Sequence, residues 1–271
     1  MFKSVLQQLF MLFYILGSSQ TLVIAHRGAS AYAPENSLQS FEKAIEMGSD
    51  MIECDLHQTT DGVVVVMHDF SVNRTCDIPK SISEKHKGKI KIKDLSSVEF
   101  SQLRLKNSDA SPPTLDAALK TIHSRCKLLV ELKKGNDLYP DIEKHILKVI
   151  ADNNAQSWVN VIHSFDKKAL LEMHQQNTGV KLQRLIVFKF PLSSFNFSRK
   201  IEKDDFGDWS GVNIQYHFAK KRIIKKLHRQ NKTVYVWTVN SKRAAGHLIK
   251  RGADGIITNK PDMVKALVGL K

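Results

Sequence analysis

Short apolar runs alternate with longer stretches in which apolar positions recur every three to four residues, from about residue 21 to the end of the chain. The short runs are rich in β-branched residues. They predict strands over Leu22–Ala25, Met51–Leu56, Val63–Met67, Leu128–Leu132, Val159–Ile162, Leu182–Phe188, Gly211–Ile214, Thr233–Val239 and Gly255–Thr258. The periodic stretches predict helices over Ser37–Met47, Thr114–Ser124, Asp137–Asn153, Asp166–Gln176, Ala219–Gln230, Ser241–Arg251 and Pro261–Val268. Asn36 or Ser37 is placed to cap the first helix, and Thr114 another. Such alternation predicts a parallel sheet with helices outside it. About eight βα units in roughly 250 residues fit a closed (β/α)8 TIM barrel. An open doubly wound sheet is the alternative, but "HRGAS" after the first strand holds one glycine where a dinucleotide site needs three. Residues 70–113 break the alternation. This Lys- and Ser-rich stretch, with one helix-like piece "IKDLSSVEFSQL", reads as a short insertion over the C-terminal mouth.

The most reactive side chains fall where strands stop. In "IAHRGASAYAPENS" (24–37), His26 and Arg27 directly follow an apolar run. In "DMIECDLHQ", Glu53 and Asp55 are two apart on a strand and share a face, while Cys54 points to the helix layer. Two carboxylates in a barrel interior repel one another, and a cation between them removes the problem. Oxygen-only ligands favour Mg²⁺ or Ca²⁺. Pairing of these acids with Arg or Lys is the other reading. Glu131 and Lys133 of "LLVELKK" repeat the pattern, and "VVVVMHDF" ends at His68 and Asp69. Two histidines and a cation beside an arginine form an acid–base set suited to a phosphate ester.

Composition narrows the partners. The 271 residues are 42% hydrophobic, enough for a sizeable core, and carry a formal charge of +14. That charge favours phosphates and anionic lipid surfaces. The basic clusters at Lys85–Lys93 and Lys220–Arg229 are not interleaved with aromatic residues, so they read as solvated faces rather than a nucleic-acid footprint. Three cysteines without CxxC spacing indicate neither zinc nor a disulfide framework, although an oxidising compartment would leave a Cys76–Cys126 bridge open. At the N-terminus, Lys3, the apolar run Leu9–Leu16 and the small residues Gly17, Ser18 and Ser19 match a signal peptide over 1–19. Export to the periplasm or medium is the expectation. An N-terminal helix capping a cytoplasmic domain is the alternative.

The chain resembles the glycerophosphodiester phosphodiesterases. The resemblance rests on "AHRG" (25–28), "PENS" (34–37), "FEKAIEMGSDMIECDLHQTTDGVVVVMHD" (41–69), "NRT" (73–75), "PTLDAAL" (113–119), "VELK" (130–133), "SFD" (164–166), "VWTVN" (236–240) and "GADGIITNKPD" (252–262), and spans nearly everything after the leader. It implies a TIM-barrel enzyme over 20–271 that cleaves glycerophosphodiesters into glycerol 3-phosphate and an alcohol. It also implies residue roles: His26 and His68 as the acid–base pair, Arg27 and Lys133 on phosphate, Trp237 as an aromatic wall, and Glu53, Asp55 and Glu131 on a divalent cation. Glu35 and Asn36 shape the first loop. Ser37 stands where threonine is usual, "NRTCD" replaces the more usual Arg-Thr-Thr and places Cys76 near the mouth, and His217 falls on a late loop where the resemblance puts substrate head groups. Two alternatives stay open: hydrolysis of lysophospholipids, with "FKFPLSSFNF" (188–197) lining an acyl groove, and a non-catalytic barrel that binds phosphorylated ligands.

Overall fold

A computed structural model of the chain describes residues 20–176, 179–186 and 209–269. The leader and the 188–197 segment lie outside the described residues. Eight parallel strands close on themselves: β1 (Leu22–His26), β2 (Met51–Gln58), β6 (Lys127–Leu132), β7 (Val159–Ser164), β8 (Lys181–Ile186), β9 (Gly211–Gln215), β10 (Thr233–Trp237) and β11 (Gly255–Thr258). Each pairs with the next, and β1 pairs with both β2 and β11. The barrel is therefore closed, and the open doubly wound alternative is excluded.

Of the nine predicted strands, the third, Val63–Met67, is not a stave. Residues Val64–Val66 form β3, which turns back antiparallel on β2. The reason is local: Gly62 takes a left-handed φ of 83° four residues after β2 ends, so the chain reverses before a helix can form.

Alternation along the staves sorts side chains into two layers. Ile52, Cys54, Leu56, Leu128 and Val130 point outward and pack on Phe41, Ala44, Leu115 and Leu119 of the surrounding helices. Ile24, Met51, Leu129, Val161, Tyr235 and Ile257 fill the interior. Helix caps hold the helices in place. Ser37 accepts from the Ser40 N–H before helix Leu38–Glu46, and Thr114 from the Ala117 N–H before helix Leu115–Ile122, as the sequence predicts. Asp166 caps helix Lys167–Gln175.

Between β3 and helix Leu115–Ile122, the chain builds a satellite layer with its own apolar cluster, including Val72, Cys76, Ile82, Ile92, Leu95, Phe100 and Leu105. It contains a small antiparallel pair, β4 (Cys76–Asp77) and β5 (Arg104–Leu105). The "IKDLSSVEFSQL" piece is not one helix. A 3₁₀ turn, Ile92–Asp94, stops at extended Leu95, and helix Ser97–Gln102 restarts behind a Ser96/Glu99 capping box. The Cys76–Cys126 bridge is not made. All three thiols are free and buried, Cys76 in the satellite layer and Cys126 in the main core. Burial pushes their pKa values up, to about 11 for Cys76 and about 12 for Cys126.

Candidate active site

Strand register assembles the site at the C-terminal end of the barrel. His26 of β1 lies opposite Glu53 of β2, Asp55 opposite Glu131 of β6, and Glu131 opposite His163 of β7. Because all eight staves run the same way, these neighbours form a continuous arc across four strands.

The first loop locks that arc. Arg27 and Gly28 both adopt left-handed backbone, with φ of 54° and 76°, so the chain reverses immediately after His26. The Arg27 N–H then donates to Glu53 Oε2 at 2.9 Å. A Cβ at Gly28 would overlap the Ser40 side chain and lie 2.6 Å from the Ser40 carbonyl carbon. That closeness is used, since Ser40 Oγ donates to the Arg27 carbonyl at 2.9 Å.

Both predicted histidines are anchored through one nitrogen. His26 Nδ1 lies 2.7 Å from Asn259 Oδ1, and His68 Nδ1 lies 2.7 Å from Asp69 Oδ1. Amide and carboxylate oxygens only accept, so each ring carries its proton on Nδ1 and keeps Nε2 for the cleft that both line. Burial lowers the His26 pKa, and the nearby Glu53 carboxylate only partly offsets it. Asp69 would be raised by burial, but hydrogen bonds from Arg74 and His68 hold it at about 2. Arg74 reaches in from the satellite layer, donating to Asp69 Oδ2 at 2.5 Å and to both Glu35 oxygens at 2.6 and 3.1 Å. Glu35 also accepts from Arg27 at 3.1 Å. Behind His68 stands His57, with Nε2 at 3.2 Å from the His68 carbonyl and Nδ1 at 2.6 Å from the Tyr139 hydroxyl. A carbonyl cannot donate, so Nε2–H donates to it and Nδ1 accepts from Tyr139.

Three buried carboxylates face two cations. Lys133 Nζ donates to Asp55 at 3.0 Å and to Glu131 at 2.8 Å. Asp55 also accepts from Asn36 at 2.8 Å and lies 3.5 Å from Arg27 Nε. Burial pushes the Asp55 carboxyl up, but Lys133 and Arg27 outweigh it and hold the group well below the usual carboxylate range. Glu131 goes the other way. Burial, joined by the Asp55 and Glu53 carboxylates and opposed by Lys133, pushes it up to about 8. With all three ionised, Glu53, Asp55 and Glu131 would exceed Arg27 and Lys133 by one negative charge, the crowding that helps push Glu131 toward its neutral form. Oxygen atoms of Glu53 and Glu131 and a ring nitrogen of His163 all lie within 4.8 Å of one another. Charge and donor chemistry together fit a divalent cation.

The structure thus brings His26, Arg27, Glu53, His68 and Glu131 to one cleft of about 80 Å³, with Trp237 on its apolar wall beside Phe165 and Leu185. The Phe165 and Trp237 rings meet edge-on at 5.8 Å. Asp55 and Lys133 share the same interior face but are occupied with each other, so for Asp55 the ion-pair reading of the sequence describes what is seen. His217 lies exposed after β9, stacked on Tyr216. Sequence reasoning missed His163. Its strand was predicted to end at Ile162; two residues more would have put His163 on the interior face, in register with Glu131.

Comparison with known proteins agrees with this geometry. Residues 26–263 match the glycerophosphoryl diester phosphodiesterase family. A glycerophosphodiester phosphodiesterase of Caldanaerobacter subterraneus subsp. tengcongensis is 30% identical over 250 residues, covering 92% of this chain and 98% of its own. One from Bacillus subtilis is 26% identical, over 92% and 87% of the two chains. Among solved structures, an Oleispira antarctica phosphodiesterase in complex with the product sn-glycerol-3-phosphate superposes with a TM-score of 0.75. It is 23% identical, over 92% of this chain and 97% of that one, and so speaks to the fold.

Proposed function

We infer the reaction from one premise: the chain belongs to the glycerophosphoryl diester phosphodiesterase family. The reaction is hydrolysis of glycerophosphodiesters to glycerol 3-phosphate and an alcohol. The observation that carries it is the pair of histidines, each fixed through Nδ1 and each leaving Nε2 to a single cleft with Arg27. His26, kept neutral by burial, accepts the proton of the attacking oxygen. His68, in its doubly protonated form with Nδ1–H held by Asp69, donates the Nε2 proton to the departing alcohol oxygen. Arg27 and Lys133 place positive charge on the phosphoryl oxygens by sharing themselves between phosphate and Asp55. Phe165, Leu185 and Trp237 take the glycerol carbons.

Glu53 and Glu131 are the carboxylates set to hold the divalent cation; Asp55 joins them by releasing Lys133 or Arg27. The cation, when bound, supplies Lewis-acid polarisation of the phosphoryl group. Carboxylate oxygens by themselves favour Mg²⁺ or Ca²⁺. Export and brief contact with anionic lipid belong to the same reading, supported by the leader-like residues 1–19 and the +14 charge. The decisive assay uses exhaustively chelated protein on glycerophosphocholine, glycerophosphoethanolamine and a lysophospholipid, with each cation returned separately. Glycerol 3-phosphate release from the small diesters, dependent on added cation, is expected. No product from either diester overturns the substrate assignment, and full turnover after chelation overturns the cation. Sequencing the N-terminus of protein recovered from culture fractions tests export: an intact Met1 in the cytoplasmic fraction overturns it.

A further inference from the structure

We propose that His163 is a nitrogen ligand of the divalent-cation site, together with Glu53 and Glu131, and that this nitrogen turns the site toward later first-row transition cations such as Fe²⁺ and Co²⁺. The inference rests on the cation-dependent reading above and deepens it.

His163 is only 2% exposed, and neither ring nitrogen has a hydrogen-bond partner. Polar groups buried this deeply are nearly always satisfied, so an imidazole with two unbonded nitrogens needs an account. Other buried histidines differ. His57 uses both nitrogens, and His26 is tied to Asn259. The strand explains where the His163 ring goes. Val161 and His163 alternate into the barrel interior, and the register sets His163 beside Glu131. Its Nε2 lies 3.9 Å from Glu53 Oε1, too far for a hydrogen bond yet close enough for one cation to touch both. The 3.9 Å from Nε2 to Glu53 Oε1 suits two metal–ligand bonds of about 2.0–2.2 Å, and a Glu131 oxygen completes a set of donors within 4.8 Å of one another.

Two carboxylates and an imidazole differ in kind from an all-oxygen site. Mg²⁺ and Ca²⁺ are hard cations that gain little from an imidazole nitrogen. Later first-row ions bind nitrogen progressively better. The site therefore has a built-in preference that carboxylates alone do not confer.

Pulsed EPR of the full chain loaded with Mn²⁺ tests the ligand directly. The expected spectrum shows ¹⁴N modulation in the wild type and in His26→Ala and His68→Ala, and none in His163→Leu. In parallel, competition binding should show Co²⁺ affinity falling about tenfold or more in His163→Gln while Ca²⁺ affinity changes by less than about twofold. Wild-type protein that binds Mn²⁺ without ¹⁴N modulation overturns the proposal, with no variant needed. So does modulation that survives His163→Leu, or an equal loss of both cations in His163→Gln with circular dichroism unchanged. If Mn²⁺ does not bind at all, the His163 proposal fails. Hydrolysis restored by Mg²⁺ after chelation would then leave the cation-dependent reading standing, and its absence would remove both.

Discussion

Single side chains at the mouth differ less in identity than in what stands behind them. His26 and His68 are each held by one acceptor, which fixes the tautomer and frees the other nitrogen. His26→Ala and His68→Ala should each lower kcat by about 10²–10⁴-fold with the fold intact. His247→Ala, on the exposed face of helix Lys242–Arg251, should leave it near wild type. Steady-state kinetics and circular dichroism on the three variants check this. His57 does a different job: it fixes the His68 carbonyl from behind, and burial lowers its pKa to about 4. The unfolded chain therefore takes up this proton below about pH 6.5, and the native state refuses it until about pH 4. Stability falls as pH drops through that window, with a contribution of about 3 kcal/mol from this ring alone. Urea midpoints of wild type and His57→Gln, measured from pH 7 to pH 4, should converge as pH falls. Parallel curves would show that the ring is not the cause.

At the scale of elements, the turn after β1 is the component on which the site hangs. Left-handed Arg27 and Gly28 let one backbone N–H reach Glu53, and Gly28 is the position where no side chain fits. Gly28→Ala should cost more than about 1 kcal/mol of stability and weaken cation binding, because relieving the overlap with Ser40 moves Arg27 off Glu53. Denaturant titration alongside cation titration tests it; a stable variant with native cation affinity would show the turn to be dispensable. Much of this element was readable beforehand. Period-two spacing placed Glu53 with Asp55, and Glu131 with Lys133, on interior faces, and the end of the first strand near Ala25, just ahead of His26 and Arg27, was visible too. Register was not readable. Whether Asp55 meets a cation or Lys133 depends on which residues of β2 and β6 lie opposite, a property of two strands rather than of either. The hairpin β3 was equally hidden, since an apolar run looks the same in a stave and in its antiparallel neighbour.

Across the whole molecule, charge and closure meet at one end of the barrel. A cation held as proposed between β2, β6 and β7 would fasten three staves at once and offset the charge of Glu131 beside its neighbours. At a hundredfold excess over Kd it should add about 2.7 kcal/mol. That corresponds to a rise of several degrees in Tm for a chain of this size. Differential scanning calorimetry of chelated and cation-saturated protein checks it, and an unchanged midpoint would place the cation outside the fold's linkage. Closure itself has a further consequence. β1 pairs with β11, and His26 is oriented by Asn259, 233 positions later in the chain. A chain still being made, or one clipped near its end, holds His26, the proposed proton acceptor, with nothing to aim it. Chain ending at Arg251 should accordingly be inert toward diesters even where its other strands pair. On the proposed role of His26, activity therefore appears only once the last strand of the barrel has paired with the first.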